Sequence, residues 1–578
     1  MTWEDDIVDR DLLERKSPIE RVRDGDRISA HGLGRLWSLL PVLVLALLLR
    51  MYWVQHEIPV LQGEECEYTR LAEDLRGHHR YDGLFEGPEL MYPPFFPALV
   101  AVASFVTRDF EAAGRLVSVL AGLALVVAVW GVTRHLYGVR AGLVAATLAA
   151  CHPVLIALSG TAYSESVDLP LVMGGVYFGL RSMENDQRFI PALCGVCLGL
   201  AYLTRPEALC IPFAILTGVV LTARILRRSV GSTLTTALLV LAPFLMLAAP
   251  YIAYLSIHTG GLRFEGKSAM NYAIGQRVNA GMSWAEVAFG ISPDLVGEGP
   301  FLSPNRFVAH APYGVPVRDI VEYWTASALR NKNDLFDRLV RSPTFGSVLT
   351  LAMVTIALLG RPWRRRRLVR EGVLLSIVVG YVFILLGMPF LSLRFLMPLL
   401  PFVIVWTSKG IEDTGRWAVA TARPVCQGRL AVGFGLGARG SLIAACLLLG
   451  ILGETSFRDE SPYELYVKEA SEWIAHNKPG PKRVMAVSNE VSYYAGGQAL
   501  VFPYAPAPLA VDYVHAKDPD FLVLTRKAMH SRPYYREWFE HGIPDPAARL
   551  VYRAGPATDP EVLVYEWTKA VTGGRHDS

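Results

Sequence analysis

Apolar residues are concentrated in eleven segments of the chain, separated by short stretches that are rich in charge. A helix needs about 20 apolar residues to cross a membrane, and most of these segments approach or reach that length. The pattern therefore predicts a polytopic α-helical membrane protein with about eleven transmembrane helices. The predicted spans are residues 36–54, 112–133, 141–158, 168–180, 189–204, 207–221, 232–256, 345–359, 372–388, 395–407 and 441–453.

Residues 93–106 form a further apolar segment, which is short and opens with Pro93-Pro94. If it does not cross the membrane, the arginine and lysine clusters between the spans all fall on one side. Cytoplasmic loops are enriched in these residues. We therefore interpret this segment as a re-entrant or interfacial helix. The expected location is a bacterial-type plasma or inner membrane, with the N-terminus in the cytoplasm and the C-terminus outside.

This topology predicts three parts: a cytoplasmic N-terminal segment (residues 1–35), a transmembrane domain (36–453) and an extracytoplasmic domain (454–578). Long outer loops are expected at about residues 55–111 and 258–344. In the last part, residues 464–477 have the spacing of an amphipathic helix, whereas 483–487, 520–525 and 561–566 have that of short strands. We expect a small soluble α/β domain outside the membrane.

Composition agrees with a membrane protein and excludes some functions. Hydrophobic residues make up 52% of the chain and charged residues 19%, and the mean hydropathy is +0.31. A net charge of only +3 gives no case for nucleic-acid binding. The histidines do not have the spacing of a metal site.

Several polar residues lie where an apolar segment meets the predicted outer face. Charged groups in such positions are costly and usually mark a functional site. Acids and arginines from different helix ends suit a substrate with an anionic part and a hydroxyl group to be activated. The residues concerned are Glu64, Glu65, Glu89, Tyr92, Glu165, Arg205 and Arg394.

A sugar linked to a lipid phosphate would meet these requirements. An acceptor hydroxyl is a weak nucleophile, so a carboxylate must take its proton. The departing phosphate gathers negative charge, which arginine stabilises because it stays ionised and binds phosphate in a bidentate manner. A lipid carrier would also explain why a transferase is so deeply embedded in the membrane.

The order of several motifs resembles that of the GT-C glycosyltransferases. The first outer loop carries Gly-Glu-Glu-Cys-Glu-Tyr at residues 63–68 and Tyr-Pro-Pro-Phe-Phe-Pro at 92–97. Gly-Leu-Ala-Tyr-Leu-Thr-Arg-Pro-Glu follows at 199–207 and Arg-Phe-Leu-Met-Pro-Leu-Leu-Pro at 394–401. These motifs are similar to those of protein O-mannosyltransferases (glycosyltransferase family 39) and bacterial aminoarabinose transferases. Segments around residues 469–474 and 493–497 resemble the soluble domain of bacterial members.

The resemblance implies a GT-C fold and an inverting transfer of a hexosyl or pentosyl group from a polyprenyl-phosphate donor to a hydroxyl acceptor. Glu64 takes the place of the family's Asp and Glu65 that of its Glu, which leaves open which of the two is the base. Glu165 would position the acceptor or hold a metal. Arg205 and Arg394 would face the donor phosphate.

The resemblance and the loop positions suggest further contacts. Lys267 in the second outer loop is expected to reach the phosphate, and Tyr68, Glu89 and Tyr92 to contact the substrate elsewhere. No cofactor is certain, although a divalent metal stays open. The expected partners are the polyprenyl-phosphate sugar, membrane lipids, and a glycan, lipid or protein acceptor, with no nucleic acid.

Two other functional classes remain open. One is a transporter or flippase for lipid-linked glycans, although no internal repeat of the kind common in transporters is visible in the sequence. The other is a non-catalytic scaffold for envelope assembly that presents the C-terminal domain. Flux without covalent transfer would favour the transporter, whereas the scaffold predicts that Glu64, Arg205 and Arg394 can all be replaced freely.

Overall fold

The computed structural model describes residues 37–56, 60–77, 79–184, 187–312, 314–340, 348–360, 362–424, 429–452 and 463–568. The predicted cytoplasmic segment, residues 1–35, lies outside these ranges, as does the predicted domain boundary at residues 453 and 454.

Helices dominate the chain as far as residue 452. The first part contains α1 (Leu40–His56), α2 (Glu64–Gly77), α3 (Phe95–Thr107), α4 (Phe110–Tyr137), α5 (Val139–Cys151), α6 (Pro153–Ala157), α7 (Glu165–Ser182), α8 (Phe189–Tyr202), α9 (Ile211–Ile225) and α10 (Val230–Thr259). The second part contains α11 (Lys267–Asn279), α12 (Trp284–Phe289), α13 (Pro304–His310), α14 (Val317–Val340), α15 (Val348–Leu359), α16 (Arg365–Leu386), α17 (Leu400–Ala422) and α18 (Arg429–Leu452). Short 3₁₀ helices lie at Leu158–Gly160, Pro206–Cys210 and Leu393–Leu399.

Each of the eleven apolar segments overlaps a helix. Within the described residues, five helices are long and apolar enough to cross a membrane, or six if the bent pair formed by α5 and the helical stretch from Pro153 to Gly160 is one span. That pair bends by 60°. Proline suits the first turn of a new helix, which explains a break at Pro153. The total of eleven spans stays a prediction.

The segment interpreted as re-entrant forms α3, which packs against α2 on one side and α4 on the other. Its outward side carries the exposed apolar residues Val102, Phe105 and Val106. The chain then turns at Arg108, whose backbone is left-handed, and Asp109 caps α4 by accepting a hydrogen bond from the Ala112 amide. That α3 is a re-entrant or interfacial helix stays a prediction.

The C-terminal part contains one mixed sheet. Its strands are β1 (Arg483–Ala486), β2 (Gln498–Val501), β3 (Phe521–Thr525), β4 (Ala548–Ala554) and β5 (Val562–Trp567), in the order β2-β1-β3-β5-β4. The pairs β1–β2 and β1–β3 are parallel, and β5 runs antiparallel to both β3 and β4. The helices are α19 (Tyr463–Asn477), α20 (Asn489–Tyr494), α21 (Ala507–Lys517) and α22 (Tyr535–His541).

Side-chain alternation along β1 gives the sheet two apolar faces. Val484 and Ala486 belong to one buried cluster with residues of α19 and α20, whereas Met485 belongs to another with residues of α21 and α22. Helices therefore cover the sheet on both faces.

The sheet contacts both segments that the sequence predicts as outer loops. The Ala499 amide in β2 donates a hydrogen bond of 2.9 Å to the Leu84 carbonyl, and the Tyr504 amide donates one of 2.7 Å to the Phe289 carbonyl. The C-terminal part therefore contacts both of the segments that contain Glu64 and Lys267.

Glycines allow close packing between the long helices. A Cβ atom added at Gly195 in α8 would lie 2.1 Å from the Val240 carbonyl oxygen in α10. Small residues at such positions let helix backbones approach each other in a membrane.

We expect Gly195→Ala to destabilise the protein by about 1–3 kcal/mol, the usual effect of overpacking. Thermal unfolding of the detergent-solubilised full chain would measure the change. Gly231→Ala is a matched control, because nothing lies within 4 Å of a Cβ atom added there. Equal melting temperatures for the two variants would contradict this packing.

Candidate active site

The first outer loop positions its acids through the start of one helix. Gly63 has a left-handed backbone with a φ of +56°, and α2 begins immediately after it. The first turn of α2 contains Glu64, Glu65 and Glu67, and acids are favourable near a helix N-terminus. Successive positions on a helix point in different directions, so these acids have different surroundings.

Glu64 faces a cluster of cations. Its Oε2 accepts a hydrogen bond of 2.5 Å from Arg394 Nη2, and its Oε1 lies 3.0 Å from Lys267 Nζ. The Tyr92 hydroxyl also donates to Oε1, at 3.3 Å. Burial alone would raise the pKa of Glu64, but Arg394 and Lys267 outweigh it and hold that pKa well below its ordinary value.

Glu165 is the second carboxylate of the cluster. It is the first residue of α7, and its side chain is fully buried. Its Oε1 lies 2.6 Å from Arg205 Nη1, and it also pairs with Arg394. Arg394 therefore joins the carboxylates of Glu64 and Glu165, which come from separate parts of the chain.

The arginines have further partners beside the sequence-selected acids. The Arg394 guanidinium lies 3.8 Å from the centre of the Tyr163 ring, and Arg205 Nη2 lies 3.0 Å from Glu207 Oε1. Neither Tyr163 nor Glu207 was predicted from the sequence as a site residue. The available signal was their position, because Glu207 ends the motif at residues 199–207 and Tyr163 lies two residues before Glu165.

The Glu65 carboxylate has different partners from that of Glu64. It is fully buried, and its carboxylate accepts hydrogen bonds from the Ala162 amide at 2.7 Å and the Gln62 amide at 2.8 Å. These bonds tie α2 to the loop before α7. Of the acidic pair, Glu64 therefore lies among the cations, whereas Glu65 supports the backbone.

The other residues expected to contact the substrate, Tyr68, Glu89 and Tyr92, have partners within the protein. The Tyr68 hydroxyl shares a hydrogen bond of 2.9 Å with Ser164 Oγ. The Tyr92 ring lies against Lys267, with 4.2 Å between Nζ and the ring centre. Glu89 is buried, and its Oε1 accepts hydrogen bonds from the Met91 and Tyr92 amides. Contact of Tyr68, Glu89 and Tyr92 with a substrate stays a prediction.

A cavity of about 390 Å³ opens beside Glu64. Its polar end is lined by Glu64, Arg205, Lys267 and Arg394, together with Glu207 and Glu265. The rest of its wall is mainly apolar and aromatic, with Met91, Leu209, Met270, Phe301, Tyr323, Trp324, Ile384, Met388, Phe390 and Phe395. The cavity therefore combines a charged end with a mainly apolar wall.

Among the residues that the structure describes, no group of three or more His, Cys, Asp or Glu side chains is arranged to hold a metal ion. The carboxylates of Glu64 and Glu165 are instead paired with cationic side chains. A divalent metal stays an untested expectation from the sequence.

A second pair of acids, Glu67 and Glu89, lies close to the site residues Glu64 and Lys267. A Cβ atom added at Gly83 would lie 3.0 Å from Glu67 Oε2 and 3.4 Å from Glu89 Oε2. Both side chains are buried, and Glu67 Oε1 has no hydrogen-bond partner within the described part of the chain. Burial and the neighbouring acid raise the pKa of Glu67, and burial also raises that of Glu89.

These raised pKa values predict a pH effect on stability. A carboxyl group with a raised pKa keeps its proton in the folded state after the unfolded chain has lost it, so stability should fall as the pH rises from about 5 to about 8. Glu67→Gln should flatten this fall, and Glu86→Gln in the exposed part of the same loop should not. Melting temperatures of the solubilised chain across this range would measure the slope. An unchanged slope in Glu67→Gln would contradict the raised pKa of Glu67.

Comparison with known proteins supports the expected class. Residues 91–254 match the family model described as dolichyl-phosphate-mannose-protein mannosyltransferase. No curated protein matches the chain by sequence. Several solved structures are similar over most of the chain at low sequence identity, among them the following two.

The first is archaeal oligosaccharyltransferase AglB from Archaeoglobus fulgidus, solved with an inhibitory peptide and a dolichol-phosphate. Its TM-score is 0.52 at 13% identity, over 93% of this chain and 75% of that chain. The second is ArnT from Cupriavidus metallidurans bound to undecaprenyl phosphate, with a TM-score of 0.50 at 12% identity over 91% of this chain and 98% of that chain. The chain therefore has the fold of these two membrane-protein structures, and residues 91–254 are similar to the dolichyl-phosphate-mannose-protein mannosyltransferases, in agreement with the resemblance drawn from the motifs.

Proposed function

We propose that this protein transfers a sugar, with inversion, from a polyprenyl-phosphate carrier to an acceptor hydroxyl at the outer face of the membrane. The observation that carries this proposal is the position of Glu64 between Arg394 and Lys267, at the ionic end of an otherwise apolar cavity. A carboxylate beside cations is suited to a reaction that removes a proton and releases a phosphate.

The cavity wall supports a lipid-linked donor. The aromatic and aliphatic side chains along the wall would cover the isoprenoid chain near the phosphate, and the cations would bind the phosphate itself. The solved structures of AglB and ArnT hold a dolichol-phosphate and undecaprenyl phosphate respectively, which is consistent with a carrier of this class.

The reaction would be a single displacement. Glu64 takes the proton of the acceptor hydroxyl, and the acceptor oxygen attacks the anomeric carbon from the side opposite the phosphate. The bond between the anomeric carbon and the phosphate oxygen breaks, and its electron pair leaves with the polyprenyl phosphate. Arg205, Arg394 and Lys267 would stabilise the charge that develops on this leaving group.

Glu64 and the donor phosphate would compete for the same cations. In the structure, Arg394 and Lys267 are occupied by the Glu64 carboxylate, which keeps the pKa of Glu64 low and makes it a poor base. A phosphate that took over these cations would leave Glu64 with weaker partners, and the pKa of Glu64 would rise. Donor binding would thus activate the base, which places donor binding before proton transfer.

Charge placement supports the outer-face assignment. Helix α7 begins at Glu165 in the site and has Arg181 in its last turn. Because this helix has 18 residues, its ends are about 27 Å apart. Helix α4 likewise has Glu111 in its first turn and Arg134 in its last. In both helices the last-turn arginine therefore lies at the end opposite the first-turn acid, as expected of a cytoplasmic side.

Glu64→Gln should abolish sugar transfer, with a fall in kcat of ~100-fold or more, because an amide cannot take the acceptor's proton. Transfer from a radiolabelled polyprenyl-phosphate sugar would be measured in membranes, with a panel of envelope acceptors. Wild-type protein should transfer the label covalently, which also distinguishes an enzyme from a flippase or a scaffold.

Glu65→Gln is the matched comparison. The Gln side chain keeps an oxygen that can accept from one backbone amide, so this variant should lose stability by about 1–3 kcal/mol while retaining chemistry. Full transfer by Glu64→Gln would contradict the assignment of Glu64 as the base. Loss of transfer only in Glu65→Gln would move that role to Glu65.

A further inference from the structure

The loop before Glu64 is held from outside by the C-terminal part. Glu490 in α20 accepts a hydrogen bond from the Gly63 amide, and the Tyr494 hydroxyl accepts one of 2.7 Å from the Leu61 amide. Helix α20 has only six residues, and it packs directly on α2. Its contacts therefore fall on two backbone amides, those of Leu61 and Gly63, in the loop that leads into the residue proposed as the base.

Further contacts fix α20 relative to α2. The Tyr493 hydroxyl donates a hydrogen bond of 2.9 Å to Glu73, which lies later in α2. Arg70 reaches the Tyr493 backbone carbonyl from the same helix, at 3.4 Å. A fourth residue of the C-terminal part, Lys468, pairs with Glu111 at 3.2 Å. The contact surface thus extends along α2 to the start of α4.

The position of Glu64 depends on this loop. The amides that precede and open a helix lack partners within the helix, so an outside acceptor must satisfy them. Gly63 also adopts a left-handed backbone, which sets the direction in which α2 leaves the loop. Misplacing a reacting group by about 1 Å can lower a rate ~100-fold. A contact that holds the Gly63 amide in place therefore also holds the Glu64 carboxylate in place.

We infer that the C-terminal part completes the active site: Glu490 and Tyr494 are positioning residues that hold the loop at residues 61–63 so that Glu64 points at Arg394 and Lys267. This role rests on the proposed function of Glu64. Glu490 is itself nine-tenths buried and does not line the cavity beside Glu64. It acts through the backbone of Gly63.

Glu490 also allows a conservative rescue. Burial, followed by the nearby Glu464, raises the pKa of Glu490 to about 7, so much of this side chain is neutral at neutral pH. Glutamine is neutral, has the same length and retains an oxygen that can accept from Gly63. Glu490→Gln should therefore preserve the contact that Glu490→Ala removes.

The experiment uses the full chain in nanodiscs and two readouts. In the transfer assay, Glu490→Ala should lower kcat ~10- to 100-fold with the KM for the donor nearly unchanged, and Glu490→Gln should restore most of the rate. Tyr494→Phe, which keeps the ring, should lower kcat less. The controls are Glu472→Ala on the exposed side of α19 and Tyr513→Phe, whose buried hydroxyl has no hydrogen-bond partner among the described residues.

The second readout does not depend on activity. Hydrogen–deuterium exchange of the peptide that contains residues 60–66 should accelerate in Glu490→Ala and Tyr494→Phe, and should match wild type in Glu490→Gln and both controls. Unchanged exchange in Glu490→Ala and Tyr494→Phe would overturn the positioning role, whatever the transfer assay shows. If exchange responds as expected while wild type transfers no sugar, the contact stands and the proposed function fails.

Discussion

The ion pairs around Arg394 are the interaction on which the site depends. Its guanidinium group contacts the carboxylates of both Glu64 and Glu165 in a largely buried position, and Arg205 contacts Glu165 from the other side. Burying any one of these charges without a partner would cost several kcal/mol. The charged groups therefore require one another, and they hold together helix ends that are distant in sequence.

This mutual dependence explains how a membrane protein can keep a charged site without a bound substrate. Arg394 and Lys267 are neutralised by Glu64, which the proposed reaction needs in a free state. A donor phosphate would take over these cations from the Glu64 carboxylate. The same exchange would turn Glu64 from a structural counter-ion into a base. The C-terminal part fits this scheme, because its contacts keep the loop before Glu64 in place while the partners of Glu64 change.

Much of the fold was predictable from the sequence, because long apolar segments and alternating strands are local signals. The eleven segments overlap helices, and the expected strands near residues 483, 520 and 561 are present as β1, β3 and β5. Glu64, Glu165, Arg205, Lys267 and Arg394 were selected from the motifs and helix ends, and they do lie together. Their catalytic roles stay predictions.

The remaining features arise from long-range packing, which a single sequence does not encode locally. The orientation of Glu64 against Glu65 depends on the residue at which α2 begins, set by the left-handed Gly63. The buried acids Glu67 and Glu89 meet only because the first outer loop folds back on itself. The bond between Glu490 and Gly63 spans most of the chain. The residues in these contacts are not related by the helical or strand periodicity that the sequence shows.

The competition between Glu64 and the donor phosphate can be measured without turnover. Binding of undecaprenyl phosphate to the full chain in nanodiscs should be compared between wild type and Glu64→Gln, with Arg394→Gln as the control that lacks the phosphate partner. If carboxylate and phosphate share these cations, Glu64→Gln should bind the lipid phosphate roughly tenfold more tightly, a gain of about 1.4 kcal/mol, and Arg394→Gln should bind it more weakly. Equal or weaker binding by Glu64→Gln would contradict the exchange.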